Sequence, residues 1–113
     1  MSARREAMLW ATQRVTAAVL AFCVAVHLFV IIYAVRQGLS AEHILGRTRG
    51  NFAWGLFYGL FVVAAALHGA IGLRAVATEW LRLRREAVEV LTTLVAVGLT
   101  MLGLRAVAGV IGA

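Results

Sequence analysis

AWGLFYGLFVVAAALHGAIGLRAVATEWLRL, residues 53–83, decides the architecture of this chain. Residues 53–73 contain no Asp, Glu, Lys or Arg. That is about the ~20 residues a helix needs to cross a bilayer's hydrocarbon core. Near the end of this run stands one histidine, His68. A titratable side chain inside an apolar span marks a candidate functional site. Counting around a helix from His68 puts Phe61, Ala64, Ala65, Gly72 and Ala75 on its face, with Glu79 further on. Most of these side chains are small. A histidine in such a groove leaves room for a flat, bulky ligand, and a haem held through imidazole fits that description. The same small residues equally suit close packing against a neighbouring helix that hydrogen-bonds the histidine. This helix alone leaves both readings open.

Composition points the same way. Of the 113 residues, 63 % are hydrophobic and 14 % charged, against roughly half and a quarter in soluble domains. The length suits one small domain, residues 1–113. There is no Lys, Asp or Pro, and all 11 basic residues are Arg, for a net charge of +6. The arginines flank apolar runs and form no basic face. They therefore read as membrane-edge residues and not as a nucleic-acid footprint. Cys23 is the only cysteine, so no internal disulfide forms, and its place in an apolar run suits packing. No internal repeat or long linker is evident.

Two further apolar runs complete the pattern. VTAAVLAFCVAVHLFVIIYA, residues 15–34, lies between Arg14 and Arg36. It is too long for the core of a signal peptide and reads as a retained transmembrane helix. It holds a second histidine, His27, whose face carries Leu20, Cys23, Val24, Val30, Ile31 and Ala34, with Thr16 three turns earlier. That face has no groove like the one beside His68. Each intramembrane histidine needs a polar partner, so two in one short chain strengthen a ligand reading for at least one. Residues 37–51 read as a polar loop, and His43 within it is assigned no role. Trp54 and Tyr58 suit the lipid–water boundary, and Gly55 and Gly59 form a GxxxG packing motif. Residues 74–85 are basic and amphipathic. A third apolar helix follows, ending past Arg105. The expected fold is an all-α membrane protein with three transmembrane helices near 10–36, 52–83 and 86–111. They run up-down-up with no strand, as part of a larger bundle.

Arginine placement orients the bundle. Arg4, Arg5, Arg14, Arg74, Arg82, Arg84 and Arg85 fall on the N-terminal side, and Arg36, Arg47, Arg49 and Arg105 on the other. The bias predicts a cytoplasmic N-terminus and an outer C-terminus. At 1.5 Å per residue His27 then lies roughly 20 Å from the inner boundary and His68 roughly 10 Å. A depth difference of about 10 Å keeps them off one iron. If both are ligands, each needs a partner histidine from another chain.

Here a resemblance becomes specific. LHGAIGLRAVATEW, residues 67–80, resembles the haem-histidine segment of the membrane-anchor cytochrome b subunits of succinate dehydrogenases and fumarate reductases, the complex II family. The family pattern, roughly H-x-x-x-G-[LIM]-x-x-x-x-x-[DE]-[YW], is met by His68, Gly72, Leu73, Glu79 and Trp80. QRVTAAVLAFCVAVHL, residues 13–28, is similar to the family's first helix, which often opens H-R-x-[ST]-G. Arg14 and Thr16 match, while Gln13 and Ala17 replace the histidine and glycine. The likeness covers about residues 10–107.

The resemblance implies a subunit that binds haem b and anchors a flavoprotein and an iron–sulfur subunit beside a second membrane-anchor subunit. Electrons would pass to or from quinone in the inner (cytoplasmic) membrane of a bacterium or archaeon. It implies His68 as axial ligand of the haem nearer the iron–sulfur subunit and His27 as ligand of a second haem. Arg14, Arg74 and the Arg82/Arg84/Arg85 cluster are expected at the inner boundary, with at least one on a haem propionate. Arg14, Glu79 and Trp80 are the expected quinone contacts. Trp10 and Trp80 stand where the family has a serine and a tyrosine. An indole donates one hydrogen bond and accepts none, which shifts the quinone site towards the partner anchor. Two other readings remain open: a cytochrome b anchor of a different dehydrogenase, and a haem-free structural membrane subunit.

Overall fold

A computed structural model describes residues 2–112. Among these the chain forms four helices and no strand: α1 (Ala3–Gln37), α2 (Ala41–Thr48), α3 (Phe52–Glu79) and α4 (Arg85–Ile111). Three of them, α1, α3 and α4, are long and apolar enough to cross a membrane. The bundle is 49 Å long and about 22 Å across, so it outreaches the ~30 Å hydrocarbon core.

α1 starts about two turns before the expected residue 10. Ser2 caps it, its hydroxyl accepting from the Arg5 amide at 3.2 Å. Glu6 in the first turn complements the helix dipole. α3 stops at Glu79, short of residue 83. The chain must turn back there for α4 to pack antiparallel, and no glycine is at hand. Arg82 takes the left-handed conformation instead, with φ of 53°. The Leu81 amide reaches the Val76 carbonyl at 3.2 Å and the Leu83 amide the Ala77 carbonyl at 3.1 Å.

Residues 37–51 hold more than a loop. α2 is capped by Ser40, and it lies against the end of α4. The Thr48 hydroxyl donates to the Val110 carbonyl, and the Gly50 amide donates to the Ile111 carbonyl at 2.9 Å. The last carbonyls of a helix have no donor within it. The end of α2 and the Gly50 amide just past it thus supply donors that close α4.

α3 is the central helix, packed against α1 on one side and α4 on the other. Its buried residues are all alanine: Ala64, Ala66, Ala70 and Ala77. Small residues let helix backbones approach where no hydrophobic drive between helices exists. α1 buries Thr16, Cys23 and Ala34, which fall on the side His27 shares. α4 buries Val88 and Thr92. Large side chains point outward instead, Phe29 being 73 % exposed and Leu102 68 %. Such surfaces suit lipid or further helices.

One end of the bundle is tied by charge. The Arg5 guanidinium donates to both oxygens of Glu89 at 3.0 Å, and Arg74 lies 4.0 Å from Glu6. The start of α1, the end of α3 and the start of α4 therefore meet at one end, as the arginine grouping requires.

α3 and α4 pack tightly against each other at Gly103. A methyl added there would run into the Val62 side chain, which is too short to swing aside. Gly59, half of the GxxxG motif, faces open space, while Gly55 meets Ile111 at 3.4 Å. The motif is thus only half used within this chain. Gly103→Val is expected to destabilise the bundle by about 1–3 kcal/mol through overpacking. Gly59→Ala, as the control, is expected to leave this chain's own packing unchanged. Thermal unfolding of the detergent-solubilised protein checks both.

Candidate functional site

His68 is half-buried on α3 and faces α1. Its Nδ1 lies 3.2 Å from the Thr16 hydroxyl, which is itself buried at 6 % exposure. The Thr16 oxygen also lies 2.8 Å from the Thr12 carbonyl and 3.1 Å from the Gln13 carbonyl. Hydroxyls in apolar helices commonly bond back onto the preceding turn. One turn along α3, Gly72 sits against the Gln13 side-chain amide, 3.5 Å from where a Cβ would be. Gln13 and Thr16 on α1 thus stack against Gly72 and His68 on α3. The small-residue face around His68 accordingly has two uses. Gly72 admits α1, and Gly69 meets Leu99 of α4 at 3.8 Å. Ala65 and Ala75 stay exposed.

His27 is placed differently. Its ring meets Tyr58 and Phe61 of α3 edge-on, with centroids 5.8 Å and 5.5 Å apart. Its Nδ1 is enclosed and makes no hydrogen bond among the described residues. Beside it opens an apolar cavity of about 480 Å³, bounded by α1, α3 and α4 and roofed by Ile44, Arg47 and Thr48 of α2. Trp54 stacks on Tyr58, and Arg47 lies over the Tyr33 ring at 5.2 Å. The two histidines belong to opposite halves of the bundle. His68 sits level with Thr16, and Thr16 precedes His27 by 11 residues. At 1.5 Å per residue the separation along α1 is about 16 Å. It exceeds the expected 10 Å because α1 meets His68 lower than the arginine positions suggest.

Arg14 lies over the Trp10 ring at 5.1 Å, a cation–π contact on the exposed side of α1. Glu79 ends α3 and is exposed, as is Trp80 just beyond it. Gln13 sits level with Gly72, so the neighbouring Arg14 lies about 12 Å along the axis from Glu79. The three residues share one end of the bundle, and no hydrogen bond or ion pair joins them among the described residues. Arg74 stands between His68 and that end, 19 % exposed and paired with Glu6.

No three His, Cys, Asp or Glu side chains gather into a metal cluster among the described residues. Any iron held here would meet one histidine of this chain at a time. A haem suits that arrangement, since the macrocycle brings four nitrogens and asks the protein only for axial ligands.

The Thr16–His68 pairing was not legible in advance. A hydroxyl in an apolar helix was the available signal, but the sequence leaves open which helix it faces.

A family model described as succinate dehydrogenase/fumarate reductase transmembrane subunit matches residues 1–108. No curated protein and no solved structure matches the chain.

Proposed function

Because this chain belongs to the succinate dehydrogenase/fumarate reductase transmembrane subunit family, we propose that it is the haem b-binding anchor subunit of a complex II-type succinate:quinone oxidoreductase. It holds the flavoprotein and iron–sulfur subunits to the membrane together with a second anchor subunit. It contributes no part of the dicarboxylate-converting core. The observation that carries this reading is His68: half-buried in an apolar helix, one ring nitrogen engaged by Thr16, the other without a hydrogen bond among the described residues. That is the state in which imidazole serves as an axial ligand.

A bound haem b supplies one-electron redox chemistry between the iron–sulfur subunit and quinone. The chain's own residues do the rest. His68 offers Nε2 to iron from α3. Arg74, two turns nearer the charged end, pairs with a haem propionate through its guanidinium fork. Arg14 and Trp80 offer hydrogen-bond donors to a quinone carbonyl, with Glu79 as the acceptor beside them. Arg82, Arg84 and Arg85 lie in and beside the α3–α4 turn and face the iron–sulfur subunit. This end is cytoplasmic, and the α2 end lies outside, in a bacterial or archaeal inner membrane.

A second site follows from His27. An imidazole nitrogen enclosed without a partner is costly in an apolar medium. The adjoining cavity falls within the ~300–1,000 Å³ range of ligand sites. His27, whose ring borders that cavity, would hold a second haem nearer the outer face together with a histidine from a different chain.

Affinity purification of the tagged chain from solubilised membranes tests the reading. A flavoprotein, an iron–sulfur protein and a low-spin b-type spectrum are expected together. Recovery with a different dehydrogenase, or without haem, would point to the alternatives.

A further inference from the structure

The Thr16 contact says more about His68 than that it is satisfied. A hydroxyl has one proton and two lone pairs. The Thr16 oxygen lies 2.8 Å from the Thr12 carbonyl oxygen. Two oxygens that close repel unless a proton lies between them, and a carbonyl has none to give. The hydroxyl proton is therefore committed to α1's own backbone. Towards His68, 3.2 Å away, only a lone pair is left. The imidazole must be the donor, so Nδ1 carries the proton. In the neutral ring, Nε2 then carries the lone pair.

We propose that Thr16 is a positioning residue for His68: its hydroxyl, locked onto the Thr12 carbonyl, accepts from Nδ1–H, fixes the tautomer and ring plane, and presents Nε2 to iron. This rests on the reading of His68 as an axial ligand. Ligating histidines commonly donate their second N–H to a carboxylate, a carbonyl or water. Here the acceptor is a relay from imidazole through Thr16 to the carbonyl of Thr12, anchored in a helix that α3 packs against. Burial of Thr16 keeps water from competing for the same N–H. An accepted N–H bond makes the imidazole more basic. A more basic ligand favours ferric over ferrous iron, so removing the acceptor raises the midpoint potential of the haem that His68 serves.

The test uses the assembled complex with Thr16→Val, Thr16→Ser and His68→Ala, each read for haem content and for midpoint potential by redox titration. Thr16→Val is isosteric and offers no acceptor. It is expected to shift the reduction equilibrium of this haem about tenfold towards the ferrous state, an upward shift of ~59 mV for one electron. Haem affinity is expected to fall by about 10–100-fold. Thr16→Ser is expected to match the wild type in both. Should Thr16→Val fail to assemble, Thr16→Cys, a weak acceptor of similar size, is read the same way. An unshifted potential with full haem would overturn the role of Thr16 while leaving His68 as a ligand. So would a Thr16→Ser shift as large as that of Thr16→Val. A requirement for serine in assembly itself, with valine and cysteine both rejected, would replace the positioning role with a structural one. Full haem in His68→Ala would instead remove the reading on which the inference rests.

Discussion

Replacement of His68 by alanine is expected to abolish the low-spin signal of one haem b and to weaken attachment of the second anchor subunit. Groups that hydrogen-bond to a metal-ligating histidine are worth about 10–100-fold in affinity. Loss of the ligand itself exceeds that range, so the signal should vanish and not merely diminish. The bundle itself should survive. His68 is half-buried, and its one hydrogen bond among the described residues is to the Thr16 hydroxyl, which keeps the Thr12 carbonyl as partner in the variant. The packing of α3 rests on Ala64, Ala66, Ala70 and Ala77, none of which changes. A folded chain with one haem missing is therefore the expected product. Membrane extraction with comparable yield, followed by a reduced-minus-oxidised spectrum normalised to flavin, reads this outcome.

The haem-to-flavin ratio should be two in the native complex and one in His27→Ala. His27 lies about 16 Å from the level of His68 along α1. One iron therefore does not serve both. The alternative for His27 is a hydrogen bond within the bundle, yet its Nδ1 is enclosed without a partner. Tyr58 and Phe61 stand nearly perpendicular to the ring and line the adjoining cavity with it. A pyridine haemochromogen assay gives the ratio directly. A ratio of one in the wild type, unchanged in His27→Ala, would reduce the complex to a single haem at His68.

The three long helices were legible because apolar runs of about 20 residues, edged by arginine, have one low-energy fate in a bilayer. α2 was not. Its eight residues include Glu42, His43, Arg47 and Thr48, too short and polar to show against a loop. What makes it a helix is tertiary: it lies on α4, and its last residue, Thr48, donates to the Val110 carbonyl. The end of α3 was overrun for a related reason. Nothing in the polar run from residue 80 marks a stop, and Arg82 turns left-handed only because α4 must return. At the site, the position of His68 in an apolar run was evident from the chain alone. The residue that holds its ring lies 52 positions away on α1, and only the register of α1 on α3 reveals it. The small-residue face beside His68 suits a ligand or a packed helix equally well from the chain alone, and in the fold Gly72 on that face seats α1 against Gln13. His27 offers no small-residue groove in its sequence, yet it borders an apolar cavity of about 480 Å³ formed by α1, α2, α3 and α4 together.

The central claim is that His68 binds haem iron through Nε2 while Thr16 holds Nδ1. A structure of the assembled complex measures it most directly. The account predicts iron within coordination distance of His68 Nε2, a histidine of another chain opposite, and Nδ1 still hydrogen-bonded to the Thr16 hydroxyl. A haem whose two axial ligands both come from other chains, with His68 merely packed between α1 and α3, would contradict it.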